Sequence, residues 1–274
     1  MSRSIPSGVN DRAFAVAIGG VGGVLIVLIV AMLIASAMAV RPSDISRALA
    51  SPEVRYALRL SFLTSCLSTL AALWVAIPLG YLLARYTFPM RGLVDALVDV
   101  PIVLPPLVVG VSLLALFRVT IVGQAVERIV PVSFEIPAIV IAQFVVGAAF
   151  ATRTMRIAFE QLSPRQEAVA MTLGCSRAQA FWRVALPGVR RGVVTAGCLA
   201  WARAIGEFGP VLIFAGATRM RTEVAPTTIY LEYQAGNISG ALAVAAILLL
   251  IALVVIAAAR MFGASGGRAE RGAP

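Results

Sequence analysis

The sequence predicts an all-α polytopic membrane protein with six transmembrane helices. Of its 274 residues, 60% are hydrophobic and only 13% are charged, and the mean hydropathy is +0.93. This composition is too apolar for a soluble globular domain. Six apolar stretches approach or exceed the roughly 20 helical residues that cross a bilayer core of about 30 Å. Most charged residues lie in the connections between these stretches.

The predicted spans differ in length. The first has 28 residues, whereas the third has 18 and the fourth has 17, so we expect their tilt and depth in the bilayer to vary. The fifth span is interrupted by Arg203 and Glu207. In chain order the six spans are residues 13–40, 60–84, 100–117, 136–152, 192–218 and 233–259.

The first span has two interpretations. Arg3 and Arg12 precede it and small residues fill positions 35–39, as in a secretory signal peptide. Its apolar region, however, is about twice the usual 7 to 15 residues of such a signal. We therefore expect an uncleaved first helix that follows a short cytoplasmic segment, residues 1–12.

The placement of arginine predicts the orientation in the membrane. With the N-terminus inside, 14 of the 23 arginines lie on the cytoplasmic side, 8 lie outside, and Arg203 lies within a span. The excess of arginine inside favours cytoplasmic positions for both termini of an inner-membrane protein. A net charge of +10 also raises nucleic acid as a partner. Because the arginines occupy loops between spans, we attribute the charge to orientation and expect no nucleic acid.

The residue types present exclude several kinds of catalytic site. The chain contains no Lys and no His. Without Lys it has no Walker A phosphate loop, and without His it has no Ser-His-Asp triad or His-bound zinc. We therefore predict no ATPase site, no metal site and no cofactor in this chain.

The basic segment at residues 153–191 is the most informative part of the sequence. Residues 163–166, Ser-Pro-Arg-Gln, have the form of a helix capping box, and residues 176–179 repeat it. Between them, Gly174 suits the left-handed turn that ends a helix. We expect the second helix to stop at Pro187, because proline cannot continue a helix.

These signals predict two short helices joined at a glycine, which we call the elbow (residues 163–187). Its predicted apolar side consists of Val169, Met171, Leu173 and Phe181. One interpretation is an amphipathic linker that lies on the membrane surface. The alternative is a docking knob for a cytoplasmic partner.

Residues 167–187, EAVAMTLGCSRAQAFWRVALP, resemble the cytoplasmic loop of binding-protein-dependent ABC importer permeases. The family pattern is E-A-A, three residues, G, nine residues, I-x-L-P, and it is matched at Ala170, Gly174, Val184, Leu186 and Pro187. The acid departs from it: Ala168 stands at the usual position, and Glu167 precedes it by one residue, as in the molybdate and sulfate branch. The resemblance implies that these residues, Glu167 included, form a coupling helix in a groove of a separate ATPase subunit.

The charged pair of the fifth span lies near its middle. Because an ionised residue at the bilayer centre costs about 2.5–3.5 kcal/mol on insertion scales, neither side chain should face lipid. At a spacing of four residues, Arg203 and Glu207 share a helix face. Either they neutralise each other inside the protein, or, with Gly206 beside them, they line a transport path or gate.

Residues 202–209 resemble the A-R-x-x-G-E-F-G signature of molybdate, tungstate and sulfate permeases, which implies a tetrahedral oxyanion as substrate.

Prolines 101, 105 and 106 stand at the entrance of the third span, so its first turn should be irregular. In the family this entrance leads into a pore-lining helix, which implies a gate role for Pro105 and Pro106. The alternative is an ordinary helix start, where proline is common.

Arg219 and Arg221, in an outer segment, either meet a binding protein or are solvated loop charges.

The resemblance implies a permease fold of the molybdate type over residues 13–262, with a disordered basic tail at 263–274. It further implies a homodimer, a pair of ABC ATPase subunits that use ATP and magnesium, and an extracytoplasmic oxyanion-binding protein. Sulfate or tungstate transport by the same architecture remains open, and iron or polyamine is a more distant option. The rivals from other classes are an ion-driven secondary transporter, although no repeated halves are visible, and a membrane enzyme, although the spans hold a single acid.

Overall fold

The structure is a computed structural model that describes residues 9–264, and every regular element in that range is helical. This confirms the predicted all-α fold. The elements up to the elbow are α1 (Val9–Ala39), α2 (Pro42–Ala50), α3 (Pro52–Arg85), α4 (Arg91–Val103), α5 (Pro106–Val119), α6 (Ile121–Ile129) and α7 (Ile136–Gln161). Those that follow are α8 (Pro164–Thr172), α9 (Arg177–Ala180), a π-helical turn (Phe181–Ala185), α10 (Leu186–Gly188), α11 (Arg190–Ile205), α12 (Gly209–Phe214), α13 (Ala225–Gln234) and α14 (Ile238–Ala264).

Of the three apolar clusters in the described residues, two hold the central helices together. In the first, small residues let α3, α7 and α11 approach closely, and their fully buried alanines are Ala72, Ala76, Ala151, Ala196 and Ala200. Small side chains at helix contacts are typical of membrane proteins. In the second core, α5 and α12 pack against α7 through larger residues: Val109, Leu113, Ile139, Val211 and Phe214. These two cores place α7 at the centre of the protomer.

Four helices, α1, α3, α7 and α14, contain segments long and apolar enough to cross a membrane. They correspond to the first, second, fourth and sixth predicted spans, with different ends. From Phe14 onward, most apolar side chains of α1 are exposed in this single chain, as expected where a helix faces lipid. At the other end of the chain, α14 begins only at Ile238, because Gly236, with a φ of +76°, separates it from α13.

The third predicted span, 100–117, is wrong as a single helix. Residues 100–103 end α4, α5 begins at Pro106, and the two helices are bent by 114°. Pro105 and Pro106 lack the N–H groups that a continuous helix would need at these positions, so the chain turns there. Taken as one broken span, this pair raises the number of spans supported by length and composition from four to five.

The fifth predicted span, 192–218, is also wrong as a single helix. It consists of α11 and α12, and neither helix reaches the length of a membrane span. The break lies at residues 206–208, directly before Pro210, whose ring disfavours a continuous helix. The six predicted spans therefore correspond to four long helices, one bent pair and one pair of short helices.

The ends of the predicted segments do not coincide with the ends of the helices. Residues 153–161, the first part of the predicted basic loop, are helical and belong to α7. The predicted N-terminal segment 1–12 overlaps α1, which begins at Val9, and residues 1–8 lie outside the described range. The predicted tail 263–274 also lies outside it, except for residues 263–264, which end α14.

Candidate functional site

The glycine turn of the elbow forms as the sequence predicts. Helix α8 ends at Thr172, and Gly174 follows with a φ of +92°. The Gly174 N–H donates to the Met171 carbonyl at 3.0 Å, and the Cys175 N–H donates to the Ala170 carbonyl at 3.0 Å. This pair of hydrogen bonds is a Schellman motif, which satisfies the last carbonyls of α8 and fixes the angle of the elbow. Ala170, one of the matched positions, therefore supplies a carbonyl to the turn.

One of the two predicted capping boxes is present. At the start of α9, the Gln179 N–H donates to Ser176 Oγ at 3.2 Å, and the Ser176 N–H donates to Gln179 Oε1 at 2.9 Å. At the start of α8 the prediction is wrong, because Ser163 makes no side-chain cap. The Gln166 N–H instead donates to the Ser163 carbonyl at 3.2 Å.

The predicted stop at Pro187 is also wrong. Helical backbone continues through the π-helical turn and α10 to Gly188, with Pro187 in the first turn of α10. Proline is tolerated there because no hydrogen bond is required of its nitrogen. Val184 lies in the π-helical turn and is half-buried, Leu186 packs against the core around α3 and α7, and Pro187 is exposed.

The elbow has an anchored base and an exposed apolar tip. At the base, the Phe181 ring lies edge-on to Tyr81, with 4.7 Å between ring centroids. At the tip, Leu173 is 81% exposed, and Val169 is exposed one turn before it; Trp182, which follows Phe181 in the π-helical turn, is 65% exposed. The predicted apolar side is therefore divided: Phe181 packs inward, whereas Val169 and Leu173 face outward. A stiff apolar projection of this kind is suited to docking.

Glu167 does not belong to the exposed tip. It is only 7% exposed, and it accepts hydrogen bonds from Arg85 Nε at 2.8 Å and from the Tyr81 hydroxyl at 2.6 Å. Arg85 also donates to the Leu162 carbonyl at 2.8 Å. The sequence gives no signal for Tyr81 or Arg85, because each lies more than 80 residues from Glu167.

Arg203 and Glu207 form the ion pair expected from their spacing, with 3.0 Å between Arg203 Nη2 and Glu207 Oε2. The two side chains differ in exposure: that of Glu207 is 2% exposed, and that of Arg203 is 39% exposed. The guanidinium also lies over the ring of Phe150, 5.5 Å from its centroid, and Arg203 Nε is buried without a hydrogen-bond partner. The pair thus presents the cation at the surface of the protomer and keeps the carboxylate inside.

The two helix breaks meet at this site. A Cβ atom on Gly209, directly after the break between α11 and α12, would lie 2.9 Å from Pro106 Cβ, so only glycine allows this approach. Pro105 and Pro106 are exposed at the bend between α4 and α5, and Gly206 is exposed at the end of α11. The structure therefore brings the proline bend beside the charged break, although the sequence places them about 100 residues apart.

The sequence analysis missed a second group of charges, which joins α4 to α7. Arg153 pairs with Asp99, with Nε 2.6 Å from Oδ1, and Arg156 pairs with Asp95 and, at 2.8 Å, with Glu160. These pairs explain why α7 continues past residue 152, where the uncharged stretch of the fourth predicted span ends. The arginines that follow are neutralised by carboxylates of the neighbouring helix. No periodicity in the sequence indicates that α4 is their partner.

The two arginines of the outer segment are paired within the protomer. Arg219 Nη2 lies 2.8 Å from Glu232 Oε1, and this carboxylate raises the pKa of Arg219. Arg221 pairs with Glu135, and its carbonyl accepts a hydrogen bond from the Tyr56 hydroxyl at 3.0 Å. Both side chains therefore stabilise this surface of the protomer. Each is also 45% or more exposed, so each is available to a partner.

Comparison with known proteins places these features in context. Residues 76–265 match the family described as binding-protein-dependent transport system inner membrane component. The sulfate transport system permease protein CysT of Salmonella typhimurium is 30% identical over 239 residues, which are 85% of this chain and 86% of that protein. The molybdate/tungstate transport system permease protein WtpB of Thermococcus kodakarensis is 38% identical over 196 residues, 70% of this chain and 75% of that protein.

A solved structure shares the fold. A chain of a bacterial alginate ABC transporter, in complex with a periplasmic protein that holds an alginate pentasaccharide, aligns with a TM-score of 0.72 and 21% sequence identity. The alignment covers 91% of this chain and 93% of that chain. The two chains therefore share the same overall fold.

Proposed function

Because the chain belongs to the family of binding-protein-dependent transport system inner membrane components, and so is the permease subunit of an ABC importer, we propose that it carries a tetrahedral oxyanion into the cytoplasm. We propose molybdate as the first candidate, with sulfate and tungstate as alternatives. The energy comes from ATP, which a separate ATPase subunit binds with magnesium and hydrolyses. The chain contributes the path and the mechanical connection to that subunit.

The observation that carries this proposal is the exposed, rigid tip of the elbow. Leu173, directly after α8, and Trp182, in the π-helical turn, are large apolar side chains exposed at the surface of the protomer. Burying each of them against a partner is worth about 1.5–3 kcal/mol. A groove in an ATPase subunit is the occupant that we propose, with Ala170, Gly174 and Val184 setting the shape of the tip. Leu186 and Pro187 connect the tip to α11.

The proposed path runs past the two helix breaks. Pro105, Pro106 and Gly206 supply irregular backbone, which membrane proteins tolerate where it is buried or lines a cavity. Arg203 supplies a positive charge to an anion in transit, and Glu207 holds that guanidinium in place from the buried side. Because Arg203 is already paired with Glu207, its attraction for a dianion is moderate. Weak attraction of this kind lets the anion pass, whereas tight binding would hold it in the path.

The substrate class rests on relatives and on residues 202–209. The relatives named above are sulfate and molybdate/tungstate permeases, and this chain has the signature Ala-Arg-Ala-Ile-Gly-Glu-Phe-Gly at the break. A ligand shifts a two-state equilibrium only by its differential affinity for the two states. We therefore propose that selection among oxyanions lies mainly in an external binding protein.

The proposed assembly contains two copies of this chain, two ATPase subunits on the cytoplasmic side and one binding protein outside. The alginate transporter provides a precedent for a complex with a periplasmic protein. Both termini and the elbow lie in the cytoplasm in this arrangement, as the arginine distribution favours. Nucleotide binding closes the ATPase pair, draws the elbows together and opens the path to the outside.

Transport by the reconstituted complex tests the proposal. The chain is purified with its ATPase, placed in liposomes with a candidate binding protein, and supplied with labelled molybdate, tungstate or sulfate. We expect ATP-dependent uptake of at least one of these anions. Uptake of none of them, in a complex that hydrolyses ATP, would remove the proposed substrate class.

A further inference from the structure

The connection between α7 and the elbow is short and not helical. Helix α7 ends at Gln161, α8 begins at Pro164, and the two residues between them have extended backbone with ψ values of 126° at Leu162 and 123° at Ser163. Two extended residues act as a hinge unless neighbouring groups fix them. A displacement of the tip would therefore bend this joint before it moved α7.

One side chain holds this joint on both sides. Arg85, the last residue of α3, donates to the Leu162 carbonyl at 2.8 Å, and its Nε donates to Glu167 Oε1 at 2.8 Å. The first contact fixes the hinge itself, and the second fixes α8 beyond it. Both charged side chains are about nine-tenths buried, so water competes little with the pair.

Tyr81 completes the arrangement one helical turn earlier on α3. Its hydroxyl donates to Glu167 Oε2 at 2.6 Å, so both carboxylate oxygens are used. Its ring lies edge-on to Phe159 of α7 and to Phe181 of the elbow, at centroid distances of 5.2 Å and 4.7 Å. A single residue of α3 thereby contacts α7, α8 and the base of the elbow.

Because Glu167 is enclosed by these groups, its carboxylate is directed into the protomer and not toward an external groove. We propose that Tyr81, Arg85 and Glu167 form a clasp that passes displacement of the elbow to α3, and that Glu167 is a positioning residue for this transfer. The proposal rests on the proposed function. Through the clasp, movement of α8 reaches α3, which extends for 34 residues, in addition to the covalent connection through α7.

The clasp is tested in the complete complex with its ATPase by hydrogen exchange with and without ATP. In the wild type we expect ATP to change amide exchange both in α8 and in the last turns of α3. Tyr81→Phe removes one hydroxyl and retains the ring, so it should retain the response of α8 and weaken that of α3, which the Arg85 contacts still transmit in part. Glu160→Gln is the matched control, because Glu160 is in an ion pair at the same end of α7 but does not contact the elbow clasp.

A second readout is the number of anions imported for each ATP hydrolysed. Because coupling free energies between sites commonly correspond to about 5- to 150-fold, we expect this number to fall about fivefold or more in Tyr81→Phe and in Glu167→Gln. A purely structural role lowers uptake and hydrolysis in proportion. If the Glu167→Gln variant does not assemble with its ATPase, the Tyr81→Phe variant alone tests the clasp.

Two results would overturn the clasp. One is an unchanged effect of ATP on amide exchange in α3 of Tyr81→Phe. The other is lower uptake with an unchanged number of anions imported for each ATP hydrolysed. Failure of the proposed substrate gives a different result. In that case the wild type imports no oxyanion, but the ATP response in α8 and α3 persists and still depends on Tyr81.

Discussion

At the scale of single residues, Arg203 and Glu207 differ in exposure. Here the carboxylate is enclosed and the guanidinium is 39% exposed beside the helix break. This geometry fits the proposed path role, in which the cation attracts an anion and the acid holds the cation.

Exchanging the two residues tests this interpretation. Arg203→Glu combined with Glu207→Arg retains the i, i+4 pair but presents a carboxylate where the arginine stood. Because a like charge repels the dianion, we expect uptake to fall about tenfold, which corresponds to about 1.4 kcal/mol. The measurement is labelled oxyanion uptake by protein that elutes as an intact complex. Near-normal uptake by the exchanged protein would instead assign the pair a structural role.

At the scale of elements, the elbow is stiff because local sequence determines its geometry. Gly174 adopts a left-handed φ, and a Cβ atom there would meet nothing within 4 Å. Substitution at this position therefore affects the backbone and the outer surface but not the packing of the protomer.

Two substitutions of Gly174 separate these effects. Asparagine tolerates the left-handed conformation better than other non-glycine residues, so Gly174→Asn should retain most uptake. Gly174→Trp places a large ring on the surface proposed to enter the ATPase, and we expect uptake to fall below about a tenth of the wild-type rate while membrane insertion is unchanged. Uptake and membrane content are measured together. Normal uptake by Gly174→Trp would show that this surface has no docking role.

The contact between the two helix breaks also belongs to this scale. Gly209→Ala forces a Cβ atom against Pro106, and overpacking of this kind costs about 1–3 kcal/mol. We expect a lower unfolding temperature and slower uptake. Gly92→Ala in α4 is the control, since nothing lies within 4 Å of its Cβ position, and its stability should change little. Equal behaviour of the two variants in thermal unfolding would mean that the breaks do not need to touch.

The sequence predicts local features of this fold better than long-range ones. The turn at Gly174 and the box at residues 176–179 depend on neighbours within five residues, and both are confirmed. The continuous spans at 100–117 and 192–218 are wrong, because hydropathy detects apolar length but not the direction of the chain after Pro105 or Pro210. The partners of Glu167 are more than 80 residues away, so no local pattern identifies them.

At the scale of the whole molecule, the exposed surfaces are those of a subunit. In the part of the chain that the structure describes, the tip of the elbow presents large apolar side chains beyond the bundle. The charged break is partly open at the surface of the protomer. These two exposed features are consistent with the proposed assembly, in which a second copy and an ATPase subunit cover them.

The central claim is that the elbow is the contact through which an ATPase drives this permease. The most direct measurement places a photoreactive amino acid at Leu173, with Met220 in the outer loop as the control position, and illuminates the intact transporting complex. We expect a cross-link to the ATPase subunit from position 173 that changes with ATP, and none from position 220. The absence of any ATPase cross-link from positions across 163–187 would contradict it.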